Sequence, residues 1–454
     1  MNKHSVSLKP SLTGVSLFSS GGIGDLALEA LGVDVIVANE IIEERASLFR
    51  HNFPDTDMIC GDIWEKSDDI INRAQHRLQG ASLDILLATP PCQGMSKNGR
   101  GKLLNEIRKG NKPLLDQRNQ LIIPTIKIIK SLQPKLVILE NVPEMENTVI
   151  LVDGELVYII DYIKSQLFPV YSGVARVVEF ADYGVPQKRK RLITVFSRVA
   201  GFAERLVRGK SVFPTETHSQ SDYLGRLPWV TVRDVIEGMP PLDAREKSTA
   251  ASKEFLLHEV PLLDEDKYFW VSNTPPEKSA FDNQCAKCGH KSNPTHKAVR
   301  VDGINRGSVE TPLYCVSCGT ILSRPWVGRG DDRRLMKGFT SAYKRMSWDA
   351  PSSTLTTNFA YACSDNKLHP SQHRTLSIAE ALHLHTVTDY EYRWLRHDGK
   401  AAKKQLIRDV IGESVPPKGL QILIGHFIKL LLDPGYQTSE EEILRQPLGQ
   451  LNFF

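Results

Sequence analysis

The chain has 454 residues, 41% of them hydrophobic and 24% charged, which is enough for more than one domain with a sizeable core and unlike a disordered chain. Its 57 basic and 53 acidic residues nearly balance at a net charge of +4, so overall charge settles nothing about nucleic acid and local clustering has to be read instead. Met1 to Thr13 is polar and no uninterrupted apolar stretch approaches a bilayer span, so the expectation is a soluble cytoplasmic protein with no membrane partner.

Val15-Ser16-Leu17-Phe18 is a short apolar strand that runs into Ser19-Ser20-Gly21-Gly22-Ile23-Gly24-Asp25 and then a helical pattern from Leu26 to Leu31. Glycines at such a junction let a ligand approach the backbone, as in nucleotide-binding turns. The next strand, Val33 to Ala38, ends at Asn39-Glu40, where a carboxylate suits a ribose diol. A third, Met58-Ile59-Cys60, is followed by Gly61-Asp62-Ile63. Three consecutive strand ends carrying Gly, Glu and Asp predict a pocket for an adenosine-containing cofactor; singly, Glu40 and Asp62 also read as solvated loop carboxylates.

A fourth apolar run, Leu83-Asp84-Ile85-Leu86-Leu87, ends at Ala88 before Pro90-Pro91-Cys92-Gln93-Gly94-Met95-Ser96. The prolines stop the strand and turn the chain outward, leaving Cys92 on a stiff loop. A lone cysteine is more often buried filler. Here Lys97, Arg100 and Lys102 follow it and would favour the thiolate, which makes it a candidate nucleophile. After an apolar-periodic stretch (Leu121, Ile122, Ile126, Ile129), the strand Lys135 to Leu139 ends at Glu140-Asn141-Val142-Pro143. Strand, helix, strand is a right-handed crossover of a parallel sheet, and it delivers Cys92 and Glu140 to one carboxyl edge. Further on, Gln187-Lys188-Arg189-Lys190-Arg191 leads into the strand Leu192 to Phe196. On extended backbone Gln187, Arg189 and Arg191 share a face, three planar donors able to recognise oxygens and hold an acid in place.

From about residue 200 to 370 this rhythm stops and proline and turn residues become frequent. Cys285-x-x-Cys288-Gly289 and Cys315-x-x-Cys318-Gly319 have a zinc-ribbon layout, which predicts a closed structural Zn2+ site without a catalytic role. Cys60, Cys92 and Cys363 are unpaired by pattern, as expected of a reducing compartment. Arg324, Arg329, Arg333, Arg334, Lys337, Lys344 and Arg345 are interleaved with Trp326, Phe339, Tyr343 and Trp348, a mixture suited to phosphate contact and base-edge readout. The core resumes near Ser377, placed to cap a helix with Glu380 three residues on. Ile411-Gly412-Glu413-Ser414-Val415-Pro416-Pro417 then precedes an amphipathic helix through Leu420, Leu423, Ile424, Phe427, Ile428 and Leu431.

Pro91-Cys92-Gln93 at one strand end, Glu140-Asn141-Val142 at a later one and the Gln187-x-Arg189-x-Arg191 segment together resemble the cytosine-C5 DNA methyltransferase family, over about residues 14 to 197 and 340 to 430. The resemblance implies an α/β fold: a Rossmann-like S-adenosylmethionine-dependent methyltransferase core (14–197), an inserted loop-rich, zinc-binding DNA-recognition domain (198–370, ribbon 285–318), a return to the core (371–434) and a tail (435–454). It places S-adenosylmethionine against Phe18, Ser20, Gly22, Gly24, Glu40 at the ribose, Asp62 at the adenine, Ile63, Pro90 and Glu413. It casts Cys92 as the thiolate that adds to C6 of a flipped cytosine, Glu140 as the protonated acid at N3, Arg191 at the base's O2 and Arg189 as the residue steadying the acid. Gln93, Ser96, Lys97 and Arg100 would fold over double-stranded DNA, with Gln187, Arg333, Arg334 and Arg345 as further DNA contacts. The expected enzyme is a monomer of the bacterial type, at the nucleoid while acting, in a restriction-modification or phage-defence context with a cognate restriction endonuclease. Three positions depart from the family pattern: Ser20 for a glycine, Val387-Thr388 for Phe-Pro, and Glu413 for an asparagine near the cofactor. Two rivals remain open, an RNA cytosine-C5 methyltransferase, whose transfer-RNA branch has a Cys-Phe-Thr marker absent here, and a catalytically weak DNA-binding homologue.

Overall fold

The structure, a computed structural model, describes residues 12–91, 117–208, 210–221, 225–295, 299–301, 304–306, 311–337 and 341–433. Cys92, Gln93, Ser96, Lys97, Arg100, Lys102, Phe339 and the tail from Pro434 lie outside the described residues.

A seven-stranded sheet carries the core. Its strands are β1 (Leu12–Leu17), β2 (Val33–Glu40), β3 (Asp57–Cys60), β4 (Ile85–Ala88), β5 (Leu136–Asn141), β6 (Ser172–Glu179) and β7 (Lys190–Ser197), in the spatial order β3-β2-β1-β4-β5-β7-β6. The first five pair in parallel, as the strand-helix-strand rhythm predicts. β7 runs antiparallel to both β5 and β6, a reversal no periodicity in the sequence announces. The strand order turns back between β1 and β4, where an open α/β sheet leaves a crevice at its carboxyl ends.

Alternation decides which side chains face which layer. Leu86, Ala88, Val137 and Leu139 point to one face, while Ile85, Leu87, Leu136 and Ile138 point to the other. Both faces are covered, so β4 and the first four residues of β5 are continuously apolar instead of alternating with polar residues. On the first face lie α3 (Ile63–Leu78), α4 (Ile122–Leu132) and α5 (Ile159–Leu167). α3 buries Ile63, Ser67, Ile70, Ile71, Ala74 and Leu78, the i, i+3, i+4 stripe of an amphipathic helix, and ends where Gln79 turns left-handed at φ 48°. On the second face lie α1 (Asp25–Ala30) and the C-terminal α8 (Pro417–Leu432), whose Leu420, Leu423, Ile424 and Phe427 are fully buried.

A third cluster joins α2 (Glu43–Asn52) with α6 (Ile378–Leu384), α7 (Lys404–Glu413) and residues Met346, Leu355 and Phe359. The expected cap of α6 is present in both directions: Glu380 N donates to Ser377 Oγ (3.1 Å) and Ser377 N to Glu380 Oε2 (2.8 Å). Glu380 also takes a two-pronged contact from Arg374, Nη1 to Oε2 and Nη2 to Oε1 at 2.7 Å each, with both residues fully buried. A separate aromatic cluster of Trp270, Phe281, Trp326 and Tyr343 lies within 263–368.

Candidate functional site

The carboxyl ends of β1, β2, β3, β4 and β5 meet at the crevice. Beyond β1 the chain turns with Phe18, Ser20 and Gly22 at positive φ (62°, 50° and 87°). The turn presses on Phe53, since a Cβ on Gly22 would stand 2.4 Å from its ring, and Gly24 caps α1. Glu40 is buried at the end of β2 and spans two loops, accepting from Ser20 N (2.9 Å) through Oε2 and from Ile42 N (2.8 Å) through Oε1. Burial raises its carboxyl above the usual range, and the two N–H donors and Arg45 pull partly back. The Ser20 hydroxyl is buried with no hydrogen-bond partner among the described residues. A buried polar atom left open beside a glycine turn and a ribose-suited carboxylate fits an adenosine-containing ligand. Asp62 caps α3, accepting from Trp64 N (3.0 Å). Ile63 turns its side chain into the core, so it serves a ligand only through its backbone.

Sequence reasoning missed two groups that hold this turn. Tyr392 donates from its hydroxyl to Gly21 O (2.6 Å), 371 residues away along the chain. Asp25 lies buried behind the turn, hydrogen-bonded to the Ser16 hydroxyl, and burial pushes its carboxyl up to about 7. Neither has a local signal: a tyrosine in a distant loop and an aspartate opening a helix are ordinary on their own.

At β4 the prolines end the strand as predicted, and their backbone is anchored. Thr89 Oγ1 donates to Phe18 O (3.1 Å) and Asn141 Nδ2 to Pro90 O (3.1 Å). Glu140, the residue before Asn141, is buried and meets Arg191, with Nε 2.8 Å from Oε1. Burial raises the Glu140 carboxyl, and the charges of Arg191 and Arg189 offset only part of that. The arrangement is an acid biased toward its neutral form, aimed from a strand end and fixed by one guanidinium.

Both arginines of the segment act on the acid. Arg191, expected at the substrate base, is the residue that holds Glu140. Arg189, expected to steady the acid, lends its charge to Glu140, is fully buried and donates to Leu355 O (2.8 Å), Gly412 O (3.2 Å) and Ser414 O (2.5 Å). The shared face holds: Gln187 bonds His385, and the charges of Arg189 and Arg191 both act on His385 and on Glu140. Gln187, expected on DNA, is also fully buried, bonded to Leu355 N (3.1 Å) and to His385 Nδ1 (3.1 Å). His385 in turn meets Ser414 Oγ (3.0 Å), and burial first, then the charges of Arg189 and Arg191, hold its imidazole neutral. Gln187 and Arg189 therefore tie the returning chain to the sheet next to the acid.

Arg345 is a further correction. It is buried and donates to Thr274 O (2.7 Å), His369 O (2.7 Å) and Val271 O (2.9 Å), so it ties strands of chain together and cannot reach DNA. Arg333 and Arg334 stay near the surface: Arg333 stacks over Trp326 at 5.2 Å, and Arg334 is exposed on a two-stranded hairpin with that tryptophan. Glu413 ends α7 and pairs with Arg45 at 2.7 Å.

The four cysteines of the insert come together. Cys285 Sγ lies 3.6 Å from Cys318 Sγ and Cys288 Sγ 3.7 Å from Cys315 Sγ, and all four sulfurs lie within 4.8 Å of one another. Both knuckles close the same way, Gly289 N donating to Cys285 O (3.2 Å) and Gly319 N to Cys315 O (2.9 Å), with each glycine at positive φ. Four sulfurs on two matching turns could hold a metal ion. Fully buried Arg324 locks this unit to the chain through Asn283 O (2.9 Å), Pro294 O (2.8 Å) and Pro312 O (2.8 Å).

The comparisons with known proteins agree with this geometry. The model of the C-5 cytosine-specific DNA methylase family matches residues 12–429. Type II methyltransferase M1.HgaI of Avibacterium volantium is 28% identical over 419 residues, covering 90% of this chain and 96% of its own. Type II methyltransferase M.XorII of Xanthomonas oryzae pv. oryzae is 26% identical, covering 94% and 87%. Among solved structures, a DNA modification methyltransferase encoded within an E. coli prophage shares the fold at a TM-score of 0.50 and 19% identity, over 93% of this chain and all of its own. No helix among the described residues is long and apolar enough to cross a membrane.

Proposed function

The chain belongs to the family of C-5 cytosine-specific DNA methylases, and from that premise we propose that it methylates C5 of a cytosine swung out of duplex DNA, with S-adenosylmethionine as the donor. The observation that carries the reading is the buried, Arg191-held Glu140 beside the anchored Pro90 that leads into Cys92.

Cytosine C5 is a poor nucleophile, and this chain's part is to make it a better one. The Cys92 thiolate adds to C6 while the Glu140 O–H hydrogen-bonds N3 and stabilises the charge that develops there. Arg191 fixes the acid, and Arg189 and Gln187 fix the scaffold behind it. C6 is shielded in a stacked duplex, so the base leaves the helix first, at a cost of a few kcal/mol that phosphate contacts offset. Phe18, Ser20, Gly22, Gly24, Glu40, Asp62 and the Ile63 backbone would hold S-adenosylmethionine, which supplies an electrophilic methyl group when bound. The orphaned Ser20 hydroxyl and the Glu40 carboxyl support that assignment.

The tetrathiolate cluster is read as a structural zinc site: bonds of about 2.3 Å in a tetrahedron set sulfurs about 3.8 Å apart, close to the spacing of the two nearer pairs. Residues 198–370 are read as the DNA-recognition unit, with Arg333 and Arg334 on its surface. The Type II names of the relatives support a cognate restriction endonuclease, and the chain is read as a cytoplasmic monomer that visits the nucleoid.

Incubation with labelled S-adenosylmethionine and either duplex DNA or total RNA tests the proposal. Label should enter duplex DNA, be abolished by Cys92→Ala and map by bisulfite sequencing to one site; label entering RNA alone would overturn it.

A further inference from the structure

The pair Arg45–Glu413 is, among the described residues, one of three long-range ion pairs at the first turn of α2, beside Arg396–Glu44 and Lys403–Glu44. It joins residues 368 apart in sequence, linking the first turn of α2 to the last residue of α7, at 2.7 Å. The Arg45 side chain is only 13% exposed and that of Glu413 35%. Both act on a third group: among the influences on the buried Glu40 carboxyl, Arg45 favours its charge and Glu413 opposes it. The backbone joins them too: Glu40 Oε1 accepts from Ile42 N (2.8 Å) and Ile42 O accepts from Arg45 N (3.0 Å), so Glu40, Arg45 and Glu413 form one charge cluster where β2 enters α2.

The backbone beneath Glu413 has no slack. A Cβ on Gly412 would lie 2.2 Å from Thr357 N, so the chain there runs directly against the 356–357 backbone. On either side, Gly412 O and Ser414 O accept from the buried Arg189. If the Arg45 charge were lost, the main chain of Glu413 could not retreat, and its carboxylate would remain next to a second carboxyl in a partly desolvated cluster. An exposed surface pair is normally worth little, because its members swing into water when separated. This pair is tethered on one side and half-buried on the other.

We propose that Arg45 and Glu413 work as one unit at the mouth of the S-adenosylmethionine pocket, with Arg45 cancelling the carboxylate of Glu413 so that Glu40 can take the ribose without an unpaired negative neighbour. Arg45 is thus a positioning residue, acting through Glu413 and Glu40. The inference rests on the cofactor reading above. It also accounts for how a glutamate is tolerated where the resembled family has an asparagine: the second charge is matched from α2.

The test is a double-mutant cycle read by calorimetric titration of S-adenosylhomocysteine into the full chain. Arg45→Leu should weaken binding about tenfold, a coupling typical of contacting residues. In a Glu413→Asn background the same Arg45→Leu change should cost less than about threefold relative to Glu413→Asn alone, so the double variant should bind more tightly than Arg45→Leu. The Arg45→Leu deficit should shrink at high salt, and in turnover it should fall on KM for S-adenosylmethionine more than on kcat. Loss of packing alone would not be rescued by removing a second side chain. A double variant as weak as Arg45→Leu, beside wild-type binding, overturns this proposal and leaves the cofactor reading standing. A wild-type chain that binds no S-adenosylhomocysteine overturns both.

Discussion

Arg191 Nε stands 2.8 Å from Glu140 Oε1 across the seam between β7 and β5, two antiparallel strands whose register places Leu192 opposite Asn141. The contact is short because each residue sits at the end of its strand next to a paired position, so neither side chain has to reach. It sets the protonation and the aim of the acid together.

Removing that guanidinium should therefore act on both. Arg191→Leu is expected to lower kcat by about 10²- to 10³-fold, the scale for losing one organising contact in a reacting site. Its pH profile should move as well. The O–H of Glu140 is needed, so activity falls as pH rises through its raised pKa; without the nearest cation that pKa rises further, and the alkaline limb should shift to higher pH. Single-turnover rates against pH check this, and an unmoved limb would separate Arg191 from the acid.

Asp25 gives a prediction about stability alone. Its folded pKa of about 7 lies above the ordinary 3.8, so the native state binds the extra proton between those values and stability declines as pH rises from about 4 to about 7. The decline attributable to this group is about 4 kcal/mol. Asp25→Asn removes it, so the melting temperature of the variant relative to wild type should climb across that interval and level off above it.

The Arg374–Glu380 pair works with the opposite sign. Burial pushes the Glu380 carboxyl up, but Arg374, His369 and the Ser377 N–H outweigh it and hold it down to about 2. The stability it contributes is present above its ordinary 4.5 and is lost as pH falls toward 2, about 3 kcal/mol in all. Glu380→Gln strands Arg374 and should cost about 3–5 kcal/mol at neutral pH, with a shallower acid limb in urea-unfolding curves.

How much of this was legible before folding depends on the range of the contact. The glycine turn, Glu40, Asp62 and Glu140 are written in short runs ending in turn residues, and the unbroken apolar runs of β4 and β5 mark a sheet covered on both faces. Gln187 and Arg345 were misread for a physical reason. In sequence they look like any polar or basic residue near a DNA surface, yet both are buried, and Arg345 spends its donors on carbonyls at 271, 274 and 369. Whether an arginine is buried is decided by oxygens brought from far along the chain, which no local pattern displays. His385, Tyr392 and Arg45 were missed on the same grounds.

That distinction can be measured with two substitutions. Arg345→Met should cost about 3 kcal/mol or more in urea unfolding, because it orphans several buried carbonyls at once. Arg334→Ala should leave stability within about 0.5 kcal/mol. If the exposed side chain touches a phosphate, the slope of log affinity for duplex DNA against log salt should drop by about one. Equal loss of stability in both variants would contradict the burial difference.

The cysteine cluster predicts one zinc ion per chain by mass spectrometry of metals. Cys288→Ser should release it and lower the melting temperature, and a chelator should do the same to wild type. Methyl transfer to DNA should fall through weaker DNA binding, while S-adenosylhomocysteine affinity stays close to wild type.

The bond from Asn141 Nδ2 to Pro90 O has a mechanical meaning. It ties Pro90, two residues before Cys92 in the chain, to the immediate neighbour of Glu140. When the sheet breathes, post and neighbour drift together, so the disturbance is common to both and largely cancels in the separation between them. Thermal noise in the scaffold is thereby filtered before it reaches the reacting ring, and replacing Asn141 with an alanine would open that filter without removing any group that touches substrate.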